Sequence, residues 1–198
     1  MQTSCGDLLQ GKDRSERFQL SACKLHQSPK IMATKTIAQE LSAENSPDSP
    51  IVASLRRQVA NAFVLYANYK HYHWQTYGPL FRDLHKLFDK FADAVLDSLD
   101  PLAERVRMIG QDPPAHPIET MDIASVSAAA SHLSPHDMLQ EANRNELVVV
   151  KEMRQAARLA DEHGDPGTVD LFSRLVQIHE KHEWWLRDML RKRDGLCT

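Results

Sequence analysis

Cysteine is scarce in this chain. There are three in 198 residues, Cys5, Cys23 and Cys197, all near the ends, odd in number and with no CxxC pair. A disulfide framework or a zinc ribbon is therefore excluded as the organising principle, and a reducing cytoplasm is the compartment that fits. Charge of one sign is lacking too: 24 Lys and Arg stand against 27 Asp and Glu, a formal net charge of −3. Such a balance gives no general attraction to nucleic acid, so any contact of that kind needs a local patch. No apolar run approaches the roughly 18 residues that a spanning helix requires, which argues against a membrane partner. What the chain does have is histidine, ten in all, and enough length for one domain with a real core.

Composition changes near residue 50. Residues 1–50 carry scattered Ser, Gln and charge, end in SAENSPDSP and show no sustained apolar period, the signature of a flexible extension. Met32 opens MATKT, a second possible translation start that would make residues 1–31 an over-long N-terminus. Asp7, Asp13 and Glu16, with no apolar h-region, are wrong for a targeting peptide. Residues 51–198 form the expected folded domain.

From Ile51 onward the pattern is helical. Val52, Leu55, Val59, Phe63, Tyr66 and Lys70 or His73 recur every three or four residues, predicting a first helix that Gly78-Pro79 ends. Pro79 suits a first helical turn, and a second helix should run from there to about Met108. QDPPAHP at 111–117 predicts an extended linker, with a short helix somewhere in 118–132. Ser134-Pro135-His136-Asp137 reads as a capped start, and His163-Gly164 as the stop, of a third long helix. A fourth is expected from Pro166–Thr168 to about Arg193, with Arg191, Lys192 and Arg193 favouring its C-terminal dipole. Four long helices with one long connection between the second and third describe an all-α four-helix bundle; no strand-like alternation competes.

The chemistry concentrates in KHYHWQTYGPLFRDLHKLFDK at 70–90. On a wheel of 3.6 residues per turn, with His85 at zero, Asp89 falls near about 40°, Asp100 near about 60° and Glu104 near about 100°. One face of the second helix thus carries an imidazole and three carboxylates, and His73 lies on the buried face of the preceding helix. A solvated stripe explains any one of these residues but accounts poorly for the set. Asp89 and Asp100 are eleven residues apart, roughly 16 Å along the axis, too far for bonds of about 2 Å to one ion. His85 with Asp89, and Asp100 with Glu104, are therefore separate half-sites. Two copies of the helix packed antiparallel about a two-fold axis would join unlike half-sites and create two identical metal sites at a subunit interface. Imidazole and carboxylate suit iron, manganese or zinc. Glu-x-x-His, which a di-iron bundle needs on two helices, occurs nowhere in the chain. HEKHE at 179–183 sets His179 and His182 one turn apart, a spacing able to hold a metal, yet it is one residue short of HEXXH. His71, two residues from His73, points roughly 200° away and reads as a surface or supporting histidine.

Taken together, His73-Trp74, Gly78, Phe81, Leu84-His85, Asp89, Asp100 and Ala103-Glu104-Arg105 resemble the signature of the Dps family, the mini-ferritins. The steps of 12, 4, 11 and 4 residues from His73 to Glu104 match without a gap, over a region from about Ile51 to Arg193. YKHYHWQTYGPLFRDLH and RMIGQDPPAHP are most similar to the cyanobacterial branch. The resemblance implies a ferritin-like bundle assembled into a hollow dodecamer, with ferroxidase centres between two-fold-related subunits. By position it implies His73, His85 and Asp89 of one subunit, with Asp100 and Glu104 of another, as iron ligands. Fe²⁺ would be oxidised at this di-iron centre, preferably by hydrogen peroxide, and stored as an Fe³⁺ mineral, with Zn²⁺ or Mn²⁺ as other occupants of the same site. Trp74 resembles the family's aromatic electron donor, though plain packing explains it equally, and Asp165 and Asp170 resemble acids lining iron pores. Pro101, directly after Asp100, departs from the pattern; it should kink the helix and re-aim that ligand. The alternative function is a DNA-binding, nucleoid-compacting protein acting through residues 1–36, which hold six basic and three acidic residues. Over residues 1–50 the balance is six to six. A purely structural bundle would have to explain five ligand-type residues in register.

Overall fold

Proline and small polar caps set the frame of the molecule. The computed structural model describes residues 49–191; the expected extension 1–50, its second start and its basic segment lie outside them but for its last two residues. Five helices follow in order: α1 Pro50–Gln75, α2 Phe81–Met108, α3 Pro117–Ile123, α4 Pro135–Glu162 and α5 Pro166–Met189, with no strand among the described residues. Four of the five begin at proline, where the missing N–H would have had no intrahelical partner anyway. Ser134 caps α4, its Oγ accepting from the Asp137 N–H at 3.2 Å and donating to the Asp137 carboxylate at 2.6 Å. That hydroxyl holds the Asp137 carboxyl below its ordinary range. Gly110 (φ +84°) and Gly164 (φ +70°) take left-handed conformations just past the ends of α2 and α4, and Gly78 (φ +87°) takes one in the turn between α1 and α2.

Several boundaries differ from the sequence expectation. Helix α2 begins at Phe81, because Gly78-Pro79-Leu80 forms the turn itself. The short helix is confined to Pro117–Ile123, and α5 stops at Met189, where Leu190 caps it. Arg191 therefore lies beyond the helix and pairs with Asp188 at 3.2 Å; Lys192 and Arg193 lie outside the described residues. The inward stripe of α1 also shifts. Leu55, Ala62, Leu65, Tyr69 and Tyr72 are buried, whereas Phe63 is exposed and Tyr66 only partly covered. Helix α2 buries Leu84, Leu87, Phe88, Phe91, Val95, Leu102 and Val106 at the same three- and four-residue spacing. Its acidic face is thereby turned away from the core, as the wheel requires.

Helices α1 and α2 pack as one hairpin and α4 and α5 as another; α1 packs on α4 and α2 on α5 to close the bundle. Tyr69, Phe88 and Phe91 meet at its centre, with ring centroids 5.4–6.3 Å from Tyr69. The long crossover between the hairpins is held by side-chain amides acting as surrogate backbone. Asn61 Oδ1 accepts from the Ser125 N–H at 2.8 Å. Asn68 donates to Ser127 O at 2.8 Å and accepts from the Ala129 N–H at 2.7 Å. Asn145 makes the matching pair with Ser127 from the other side, at 3.0 and 3.1 Å. Loop backbone is thus satisfied without a strand to pair with.

Candidate metal centre

The end of α1 and the start of α2 bring His73 and His85 face to face. Their rings stack at 3.6 Å, 21° from parallel. His73 Nδ1 donates to His85 O at 2.8 Å, and His85 Nδ1 donates to His73 O at 2.9 Å. A carbonyl only accepts, so each Nδ1 carries a proton and Nε2 is the nitrogen each ring offers to a metal. This reciprocal lock fixes two imidazoles with one pair of main-chain oxygens.

Asp89 stands one turn beyond His85, half-exposed, with Oδ1 3.8 Å from His73 Nδ1. Its partner is Lys70, whose Nζ donates to the same oxygen at 2.6 Å. That hydrogen bond, with the charge of Lys70, holds the Asp89 carboxyl below its usual range and raises the ammonium. Sequence reasoning passed over Lys70 as a partner; its place three residues before His73 was the available signal. Phe81 lies flat against His85 at 5.0 Å, walling one side of the pair. Trp74 follows His73 at the helix end with 67 % of its surface exposed.

Asp100 and Glu104 are exposed on α2, towards its other end, and the fold does not bring them to the histidines within one chain. Helix α2 runs unbroken through Pro101, which is exposed on its outer side. Arg105, directly after Glu104, ties this end of α2 to α5: Nε donates to Thr168 Oγ1 at 2.9 Å and the guanidinium meets Asp165 at 2.5 Å. Gly167 lies under that guanidinium, where an added Cβ would meet it at 2.9 Å. Asp165 is also the cap of α5, accepting from the Thr168 N–H at 3.0 Å. Asp170, one turn into α5, is exposed and paired with Arg174 at 3.0 Å.

His71 is half-buried, its ring edge-on to Tyr72 at 6.2 Å and its Nε2 buried without a hydrogen-bond partner. His179 and His182 are buried in the core, and each binds Glu146. Sequence reasoning named the two histidines and missed the carboxylate. A lone acid on the apolar stripe Met138, Leu139, Ala142, Val149, Val150, Met153 was the signal.

Helix hairpins joined by a pinned crossover, with imidazoles and carboxylates presented from one pair of helices, define a ferritin-like protein. The family model for the ferritin-like domain matches residues 52–195. General stress protein 20U of Bacillus subtilis is 33% identical over 140 residues, 71% of this chain and 97% of that protein. A DNA protection during starvation protein of Brevibacillus brevis is 34% identical over 140 residues, again 71% of this chain and 94% of its own. The X-ray structure of Dps from Thermosynechococcus elongatus superposes with a TM-score of 0.73 at 42% identity, covering 82% of this chain and all of that one. The chain belongs to the Dps family, and its kinship with cyanobacterial members is supported by that structure and by a low temperature-induced protein of Nostoc.

Proposed function

We propose that this chain is an iron-storing ferroxidase subunit. In this reading His73, His85 and Asp89 of one copy, with Asp100 and Glu104 of a two-fold-related copy, take up Fe²⁺ as substrate. The observation that carries the reading is the reciprocal His73/His85 lock, which leaves Nε2 as the nitrogen both rings offer to a metal. Asp89 supplies a carboxylate that the Lys70 ammonium keeps ionised until Fe²⁺ displaces it. Two imidazoles and carboxylates without a thiolate suit iron, with zinc or manganese as competitors for the site.

The balanced reaction takes two Fe²⁺, one hydrogen peroxide and two protons to two Fe³⁺ and two waters. Pairing the two electron transfers at one centre avoids the one-electron product, hydroxyl radical. Trp74, next to His73 and open to solvent, would supply an electron in this reading when only one iron is bound. The ferric product would collect as mineral inside a hollow dodecamer, with Asp170, and Asp165 beside it, as acids of an iron pore. Protection of DNA, the role in the names of relatives, then follows from removing Fe²⁺ and peroxide together in the cytoplasm. Residues 51–198 form the ferritin-like domain in this proposal, and 1–50 an extension.

Anaerobic Fe²⁺ loading followed by peroxide tests it, with ferric absorbance and a hydroxyl-radical spin trap as readouts. The expected result is two Fe²⁺ oxidised per peroxide with little radical, lost in Asp89→Ala. Oxidation no faster than in buffer, with full radical yield, overturns the ferroxidase reading and brings the DNA-binding alternative forward. That alternative predicts salt-sensitive DNA retention dependent on residues 1–50.

A further inference from the structure

A second donor cluster sits inside the bundle and plays no part in the reading above. Glu146 on α4 is 0 % exposed, and His179 and His182 on α5 are 1 % and 4 % exposed. His179 Nδ1 lies 2.7 Å from Glu146 Oε2 and His182 Nδ1 3.0 Å from Oε1, which also accepts the Tyr69 hydroxyl. One ligand atom from each of the three residues falls within 4.8 Å of the other two. The rings are held by packing: Phe91 stacks on His182 at 3.9 Å, and Tyr69 abuts it edge-on at 6.2 Å. Burying an ionised carboxylate costs several kcal/mol unless positive charge accompanies it. Here that charge comes from protons on the imidazoles or from a cation.

We propose that Glu146, His179 and His182 form a metal site within each subunit, taking one divalent first-row cation, zinc or ferrous iron. Two imidazoles and one carboxylate are the donor set such ions share. Adjacent ligands at about 2.0–2.1 Å from one ion stand roughly 2.8–3.4 Å apart, so the two nitrogen–oxygen separations need open by only a few tenths of an ångström. The cation replaces the two Nδ1 protons, and the Tyr69 hydroxyl, which binds Glu146 Oε1, steadies the carboxylate from α1. The histidines come from successive turns of one helix and the glutamate from its hairpin partner, so rigid elements hold all three. A cavity of about 200 Å³ lined by His182, Phe91, Trp185, Lys90 and Lys181 offers the way in. Lys90 and Lys181 hold their ammonium groups 4.8 and 5.3 Å from the Trp185 ring centre, so a cation meets like charge at that mouth and loads slowly.

The test uses the full chain carrying His85→Ala and Asp89→Ala, so that the surface half-site and the ferroxidase reading play no part. The protein is stripped with chelator, incubated overnight with Zn²⁺ or with anaerobic Fe²⁺, desalted, and its metal counted by mass spectrometry. One ion per chain should remain, with a raised Tm, and Glu146→Gln in the same background should retain it at least about tenfold less well. His182→Gln repeats the test should Glu146→Gln fail to fold, helix content and assembly size serving as the check. Co²⁺ substitution gives a readout that needs no further variant: visible d–d bands of a low-coordinate site are expected. A parent that retains no Zn²⁺ or Fe²⁺ and shows no Co²⁺ bands overturns the proposal and leaves a proton-linked core trio. Retention unchanged by folded Glu146→Gln and His182→Gln overturns it equally.

Discussion

Asp89 comes to its proposed task already engaged, since Lys70 holds the oxygen that Fe²⁺ would take. An exposed ion pair of this kind is a weak competitor. Lys70→Gln should therefore tighten Fe²⁺ binding by about two- to fivefold, measured as quenching of tryptophan fluorescence under anaerobic titration; unchanged affinity would mean the pair opens freely. Glu146 governs a different property. Burial pushes its carboxyl up, but the charge of His179 and hydrogen bonds from both imidazoles outweigh this and hold it at about 2, below its ordinary 4.5. A carboxyl depressed by folding is protonated first in the unfolded chain. Its stabilisation is complete above pH 4.5 and drains away as pH falls towards about 2. The metal-free protein should lose Tm across that window more steeply than Glu146→Gln, and parallel melting curves would contradict the assignment.

Among the described helices, α2 carries the one proline placed deep inside a helix. Pro101 removes a ladder hydrogen bond in an exposed stretch, a feature that costs an ordinary helix interior about 3 kcal/mol. Pro101→Ala should raise the Tm, and following Fe²⁺ oxidation in the same variant shows whether the proline aims Asp100. How far each element could be read in the sequence depends on how local its signal is. Ser134, Gly164 and Pro166 act on their own turns, so α4 and α5 were legible to within a few residues. On α1 both Phe63 and Tyr69 satisfy a helical period, and which one faces inward is decided by α2 and α4, out of reach of periodicity. The same holds for chemistry. HEKHE announces two histidines on one face, whereas Glu146 lies 33 residues from His179 and meets it only through the α4–α5 hairpin. His73 and His85 were legible as ligand types by spacing; their exchange of main-chain hydrogen bonds was not.

At the scale of the assembly, the proposed pairing of two half-sites from one helix makes a prediction that no single-chain centre shares. Asp89→Ala disables one half-site and Glu104→Ala the other, so each variant alone should be inactive. In a mixed two-fold pair, one site receives both defects and the other receives none. Co-refolded equal mixtures should recover about a quarter of wild-type oxidation, since half of the pairs are mixed and each holds one intact centre of two. No recovery, with mixed assembly confirmed by mass, would count against a shared centre.

The division of the bundle into two hairpins also bears on how the protein is made. His73, His85 and Asp89 all belong to α1 and α2, while Glu146, His179 and His182 all belong to α4 and α5. Each group lies on a hairpin of adjacent helices, and the crossover is clamped from both sides, by Asn61 and Asn68 of α1 and by Asn145 of α4, only once both hairpins meet. Ribosomes deliver the chain from its N-terminus, so the first hairpin can fold while the second is still being translated. A growing polypeptide would then present its paired imidazoles to cellular metal before the second hairpin has been made.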